Sequence, residues 1–366
     1  MRYTALRENL QKALLIASRI VAKNPSLPIL ETVLIETENK QLKISATNLE
    51  LGMHAWVKGK IDQEGKLCVP VSLLGNIVST IQEERITLEG KGLNMEIIAQ
   101  SFQGTIKGQD PNDFPIIPQP GIKTFIEMSA KKLAEGLSQV VPLATISEIY
   151  PEISGVFFSF STKGITLAAT DSFRLGKKEV LERVPKELLG LSFILPLRSS
   201  QEFLHILEQY PGEVLNLGAS ENQAVFSLND VYVISRLLSG NYPNYQELIP
   251  KDFLLKVSVD RLECIEKVKL ASIFAPKTNE CKIEIGASSL KISADAALGS
   301  SQATLKAKVQ GAGVSEITFN YRYLLDGLTH MRTKEVVFNI KNEATPVLFT
   351  GAGDESYLYL AAPLKS

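Results

Sequence analysis

The sequence predicts an α+β protein of three repeated domains, each with two helices packed on antiparallel sheet. Three observations predict it. The chain has 366 residues, more than one ordinary core accommodates. Four segment types recur in the same order about a third of the chain apart. Within each copy the apolar period alternates between that of a helix and that of a strand.

A short strand and a helix open each copy. Arg7 to Val21 carries apolar residues at Leu10, Leu14, Ala17 and Val21, the spacing of one helix face. Ala130 to Leu143 does the same through Leu133, Leu137 and Val140, and Asp260 to Ile273 through Leu262, Ile265, Val268 and Ala271. An alternating strand ending in a small polar turn follows: Leu42 to Asn48, Ile165 to Asp171, and Leu290 to Asp295. Asn48 and Asp171 stand 123 residues apart, and Asp171 and Asp295 stand 124 apart. A second helix falls near the middle of each copy: Val71 to Ile81, Arg198 to Tyr210, and Tyr321 to Met331. Pro70 and Pro196 precede the first two, where a helix start tolerates proline. Phe102–Ile106 leading to Asp113-Phe114-Pro115 matches Val233–Leu237 leading to Asn241-Tyr242-Pro243. Domains of 1–121, 122–250 and 251–366 follow. Two helices cannot enclose a core alone, so they should cover one face of a sheet, and the end strands remain available for edge pairing.

Hydrophobic residues make up 45% of the chain and no apolar run approaches the length that spans a bilayer. The first eight residues, Met1 to Glu8, include Arg2, Arg7 and Glu8 and resemble no secretory leader. Cys68, Cys264 and Cys281 have no metal spacing and suit a reducing compartment, so a cytoplasmic protein is expected. There is no GxxxxGK[ST] loop, GxGxxG, HExxH or GxSxG. His54, His205 and His330 are isolated in sequence, and Gly351-Ala352-Gly353 reads as a hairpin turn. The expectation is a protein without catalytic residues, metal or cofactor.

The formal net charge is -1, whereas phosphate-binding proteins are usually basic. Cations nevertheless concentrate on the repeated helices. The first set is Arg7, Lys12, Arg19 and Lys23, and the second is Lys131, Lys132 and Arg198. The third is Arg261, Lys267, Lys269, Arg322, Arg332 and Lys334. On one shared surface they would form a sequence-blind field for phosphates, with acidic strands and loops cancelling the total.

Seven segments add a resemblance. They are Leu27–Leu30, Ala46–Glu50, Asp113–Pro115, Ile153–Val156, Ala169–Leu175, Gly240–Tyr245 and Phe319–Leu325. In this order, and over essentially the whole chain, the sequence resembles the bacterial sliding clamp family, the beta subunit of DNA polymerase III. The resemblance implies the DNA clamp fold and a head-to-tail homodimer closed around duplex DNA. It implies a processivity factor that tethers DNA polymerase, the clamp loader and repair proteins through short peptides. Sequence-independent DNA contacts are then expected at Arg7, Lys12, Lys23, Asn24, Lys131, Tyr150 and Arg198. A partner-peptide pocket is expected from Ile153, Thr170, Phe173, Arg174, Leu175, Pro243, Leu248, Asn320, Tyr323, Ala344, Pro346, Ala362, Pro363 and Leu364. Within it, Arg174 and Asn320 should fix the peptide backbone while apolar side chains hold its anchors. The dimer joint should bring Ile273 and Phe274 against Phe102 to Ile106. The chain departs from the family pattern at Phe173, commonly histidine or basic, at Ala362, frequently methionine, and in the second helix, which carries no charge.

Two other readings are open to the residues alone. One is an open, non-ring nucleic-acid-binding or scaffold protein built from the same repeats. The other is a hydrolase or transferase whose site is assembled from distant residues.

Overall fold

The structure is a computed structural model that describes residues 1–22 and 25–364. In the first third, β1 (Arg2–Leu6) runs into α1 (Arg7–Ile20). There follow β2 (Thr32–Glu38), β3 (Gln41–Thr47), β4 (Leu51–Val57), β5 (Gly59–Gln63) and β6 (Lys66–Pro70). Then come α2 (Val71–Thr80), β7 (Arg85–Lys91), β8 (Asn94–Ile98) and β9 (Gln103–Lys107). The middle third holds β10 (Ile126–Ser129), α3 (Ala130–Val140), β11 (Gly155–Ser161), β12 (Gly164–Thr170), β13 (Arg174–Leu181) and β14 (Ser192–Pro196). It ends with α4 (Leu197–Glu208), β15 (Val214–Ala219), β16 (Gln223–Ser227) and β17 (Val231–Arg236). The last third holds β18 (Leu255–Asp260), α5 (Arg261–Ser272), β19 (Glu280–Ile285), β20 (Ser289–Ala296), β21 (Gly299–Lys306) and β22 (Lys308–Gly311). It closes with β23 (Glu316–Asn320), α6 (Tyr321–His330), β24 (Glu335–Ile340), β25 (Val347–Gly351) and β26 (Asp354–Ala361).

The helices stand where the periodicity puts them, and their ends have local causes. Asp260 is the N-cap of α5, its Oδ1 accepting from the Glu263 amide at 3.0 Å, so the helix begins one residue later than expected. Pro142 stops α3 at Val140 and leaves a single 3₁₀ turn over Val141–Leu143, because proline supplies no amide for the next helical bond. One expected core position is wrong. Leu262 is 66% exposed, and Cys264, at 0%, takes the buried place that Leu10 and Leu133 hold in the other copies. The next positions agree: Leu14, Leu137 and Val268 are buried, as are Ala17, Val140 and Ala271. Gly351 to Asp354 forms the expected hairpin, with Gly353 at φ +78°.

The strands pair antiparallel throughout. They form four sheets, in the orders β5-β1-β7-β8-β9, β10-β15-β16-β17-β4-β3-β2-β6, β14-β11-β12-β13-β26-β25-β24-β18-β22 and β21-β20-β19-β23. The two larger sheets are therefore shared between neighbouring copies. β17 of the second copy pairs with β4 of the first, and β26 of the third pairs with β13 of the second. Compactness consequently divides the chain differently from the repeat. One unit comprises Met1–Lys131 with Gln201–Leu237, the other Lys132–Ser200 with the chain from Leu238 onward. The physical reason is that an open strand edge is satisfied by the nearest matching edge, here the next copy's. In the first unit Tyr3, Leu10, Leu14, Ile16 and Phe226 are among the fully buried side chains, and in the second Phe158, Phe338, Phe349, Tyr357 and Tyr359.

Candidate partner pocket and nucleic-acid interface

All fourteen expected pocket residues fall within the second unit. Their centre is the turn between β12 and β13. Asp171 Oδ1 accepts from the amides of Phe173 (3.0 Å) and Arg174 (2.9 Å), while the Thr170 hydroxyl donates to the Arg174 carbonyl at 2.7 Å. This forces Ser172 to φ +76° and leaves Phe173 61% exposed. The first copy builds the same turn. Asn48 Oδ1 accepts from the Glu50 and Leu51 amides, Thr47 donates to the Leu51 carbonyl, and Leu49 has φ +75°. The recurring Thr-Asn/Asp dipeptide is thus a side-chain-capped turn, which these residue types favour.

Arg174 is the hub of the site. Its Nε donates to Asp171 Oδ2 at 2.8 Å, Nη1 donates to Asp326, and its guanidinium lies 5.0 Å from the Tyr323 ring centre. Burial works against its charge, but the hydrogen bond and charge of Asp171, with Tyr359 and Asp326, more than offset that, so its pKa lies above the ordinary value. Phe173 stacks on Tyr323 with ring centres 6.3 Å apart and planes 22° apart. Tyr359, fully buried, donates its hydroxyl to the Tyr323 carbonyl at 2.8 Å. The chain end is tied in by the Ala362 amide, which donates to the Phe173 carbonyl at 2.8 Å, and by the Leu364 amide, which donates to the Thr318 carbonyl at 2.8 Å.

The other expected residues divide by burial. Ile153, Thr170 and Leu175 are buried, and Leu175 packs with Ala168, Tyr245, Leu348 and Leu360. Pro243, Leu248 and Ala344 are exposed, whereas Asn320, Pro346, Ala362, Pro363 and Leu364 are half-buried. Ile153, Pro243, Leu248, Ala344 and Pro346 form no hydrogen bond or ring contact with the Arg174 group among the described residues. Asn320 Oδ1 caps α6 by accepting from the Arg322 amide at 3.0 Å, which fixes the side chain while its NH₂ and a second oxygen lone pair can still meet a ligand. Asp171, Asp326 and Tyr359 were missed as positioning residues. Asp171 was readable from the turn motif, but Asp326 is distant in sequence and carries no local signal.

The described residues among the expected DNA contacts are spread over α1, the starts of α3 and α4, and one loop. Arg7 opens α1 and donates to Gln11 at 2.9 Å; Lys12 lies 3.3 Å over the Tyr210 ring. Lys131 and Arg198, each second in its helix, are exposed. Tyr150 is 54% exposed, on a loop held by Ser147 and Ser154. Lys23 and Asn24 lie outside the described residues. Arg261 is not a phosphate candidate. Its Nε donates to the Thr333 carbonyl at 2.9 Å and its Nη1 to the Leu328 carbonyl, so it caps the end of α6. Arg19 is paired with Glu202 at 3.3 Å, and Arg332 with Glu135 at 3.2 Å.

The expected joint residues lie at two sheet edges. Phe102 is 38% exposed beside β9, and Ile273 and Phe274 are 72% and 37% exposed after α5. Ile106 is 1% exposed, so its side chain belongs to the core and only its backbone lies at the edge. His54 bonds Ser45 at 2.8 Å, His205 lies 3.6 Å from Glu208, and His330 bonds the Asp326 carbonyl at 2.7 Å, three unrelated settings. No group of three or more metal-ligating side chains occurs among the described residues, and no helix among them is long and apolar enough to cross a membrane.

Three consecutive family models match the chain. They are those of the DNA polymerase III beta subunit: N-terminal domain over residues 1–118, central domain over 127–244 and C-terminal domain over 246–365. The chain belongs to the DNA polymerase III beta subunit family, the bacterial sliding clamps. It is 27% identical to the beta sliding clamp of Synechocystis sp. over 390 residues, covering 100% of this chain and 99% of that one. The crystal structure of the DNA polymerase III beta subunit of Thermotoga maritima is similar at a TM-score of 0.94 and 26% identity, covering 100% and 99% of the two chains. The sliding clamp of Bartonella birtlesii bound to griselimycin is similar at 0.94 and 26%, covering 100% of both. Members of this family are non-catalytic processivity factors, and the fold, function and absence of enzymatic activity expected from the sequence follow for this member.

Proposed function

We propose that two copies of this chain close head to tail around duplex DNA in the cytoplasm, each contributing three domains near 1–121, 122–250 and 251–366. The observation that carries the reading is that β9 and β21, at the ends of a five- and a four-stranded sheet, lack among the described residues the partner that their counterparts β17 and β26, and β4 and β13, have inside the chain. Joined edge to edge between copies, they would make a sheet matching the eight- and nine-stranded sheets inside the chain. A repeated heterologous contact of this kind closes into a ring when its rotation permits. Within the ring, Arg7, Lys12, Lys131, Tyr150 and Arg198, with Lys23 and Asn24, offer weak exchangeable contacts to phosphates, which permit sliding where strong ones would brake it.

Polymerase, clamp loader and repair proteins dock short peptides on the Arg174 site. Arg174 has donors beyond those given to Asp171 and Asp326, and Phe173, Tyr323 and Leu248 present apolar surface for anchors. The test is topological. Protein loaded on closed circular DNA is expected to survive a high-salt wash and to leave after the circle is cut. Release that follows salt and ignores linearisation would favour the open, non-ring reading instead.

A further inference from the structure

Inside each unit, neighbouring copies meet by one rule that combines a strand pair and a helix pair. Ala46, Ala169 and Ala294 occupy the same strand position, and their hairpin partners are Met53, Gly176 and Ser301. Met95, Ala224 and Val347 likewise correspond, and their partners are Ile106, Ser235 and Ala361. At the two internal joints Met53 pairs with Val233, and Gly176 with Tyr359, each two residues before Ser235 and Ala361. Both joints thus share one register. Carried to the open edges, that register sets Ser301 opposite Gly104 and Thr105 opposite Ser300 of a second copy. It also places Phe102, Gly104 and Ile106 on the same face as Ala303, Ser301 and Gly299. That agrees with the burial of Ile106 and with Phe274 lying beside Gly299.

The helices obey the same rule. The first helix of one copy meets the second helix of the next through polar pairs: Arg19–Glu202 at 3.3 Å, and Glu135–Arg332 at 3.2 Å with Gln139 donating to the His330 carbonyl at 2.8 Å. The counterparts left for an outer joint are α5 and α2. There Arg19 and Glu202 become Ile273 and Asn76. Glu135 and Arg332 become Glu266 and Gln82, and Gln139 and His330 become Leu270 and Thr80. Ion pairs found at the internal joints therefore have no equivalent at the outer one. α2 carries no charge at all, and neither edge does from Ser101 to Ile106 or from Gly299 to Leu305. Leu262 and Leu270 on α5 and Ile273 just after it are 66%, 46% and 72% exposed, with Glu266, paired to Lys267 at 3.0 Å, between the two leucines. A cleft of about 540 Å³ lies beside α2, lined by Asn76, Ile77, Thr80, Ile81 and Gln82 with Ser101, Phe102 and one charged residue, Glu83.

We propose that the joint between two copies is a version of the internal joints without their ion pairs, with α5 of one copy seated against α2 of the other and Thr105 opposite Ser300. The proposal rests on the ring reading and adds its register and chemistry. Lys107 and Lys306 lie exposed at the ends of the paired edges, and Glu83, at the cleft after α2, is already bonded to Ser101, so these charges frame the joint without holding it. A joint of this kind keeps the ring closed in salt that strips phosphate contacts from the DNA.

Sedimentation equilibrium of the full chain between about 0.05 and about 1 M sodium chloride tests it. The dimer constant is expected to stay within about threefold or to tighten, whereas weakening of about tenfold or more would overturn a joint without ion pairs and leave the ring standing. A monomer at every salt concentration would overturn the ring itself. Asn76→Glu should weaken the dimer at least about tenfold while the chain stays folded by circular dichroism. Adding Ile273→Arg, which transplants the Arg19–Glu202 pair, should restore the dimer and make it salt-sensitive; an unchanged dimer in the single variant, or no rescue, would refute the helix assignment. Thr105→Cys with Ser300→Cys should cross-link the copies on mild oxidation, since directly opposed strand residues stand about 4.5–5.5 Å apart. The native cysteines are buried and leave that readout clean. Cross-linking of Thr105→Cys only with a position other than Ser300→Cys would refute the register.

Discussion

Replacing Arg174 by alanine is the most direct test of the partner pocket. The side chain is 14% exposed and holds Asp171 and Asp326 together over the Tyr323 ring. Asp171 keeps the two amides of its turn when the guanidinium is removed, and Asp326 is 40% exposed, so neither carboxylate is stranded. The stability cost should therefore fall below that of breaking a fully buried pair, at about 1–3 kcal/mol. The binding cost is separate. A guanidinium with donors to spare offers a peptide one or two charge-assisted hydrogen bonds, and losing them costs about 1.5–3 kcal/mol, an affinity loss of roughly ten- to a hundredfold. The assay is fluorescence anisotropy of a labelled polymerase tail peptide, with dimer mass measured alongside. Arg174→Lys should recover little, because an ammonium cannot bridge two carboxylates in a fixed plane. Unchanged affinity in Arg174→Ala, with the chain folded and dimeric, would refute the site.

Two further outcomes bear on stability. Burial, then the Lys43 charge, depresses the His54 pKa to about 4 against the opposing effect of Glu38. A depressed pKa means that the stability is complete above about pH 6.5 and is lost as pH falls through about 4, by up to roughly 3 kcal/mol. Urea unfolding of His54→Gln should lack that acid loss, and an unchanged pH profile would refute the assignment. Gly327→Ala should destabilise despite the usual helix preference for alanine of about 1 kcal/mol, because its Cβ would stand 2.5 Å from the buried Tyr359 ring. A net loss of about 1–2 kcal/mol in urea unfolding is expected, with weaker peptide binding through the Tyr359–Tyr323 bond; stabilisation would show that the ring yields.

Much of the local architecture was legible because it is written in short periods. The helical spacing placed α1 to α6 within about three residues, and Pro142 explains the largest shift, at the end of α3. The period was also legible, but its third copy was misaligned at Leu262. That helix carries apolar residues on two faces, and no local pattern says which is core. The same ambiguity now has a physical meaning, since the exposed stripe Leu262, Leu270 and Ile273 is what an outer joint would use. In the pocket, the family motif pointed to Phe173, Arg174 and Tyr323, and the turn around Thr170 and Asp171 follows from side-chain capping alone.

By itself, then, the sequence determined the repeated α+β elements, the capped turn that presents Phe173, and a chain whose cations concentrate on helices and whose acidic residues fall on strands and loops. Those depend on neighbours within a few residues. Only the tertiary structure decided which strand edges pair, so that sheets are shared between copies while β9 and β21 stay open. It alone brought Asp326 to Arg174, sent Arg261 to the end of α6, buried Ile106 and exposed Leu262. Edge pairing and burial are settled by contacts between residues far apart in the chain, and no local period encodes those.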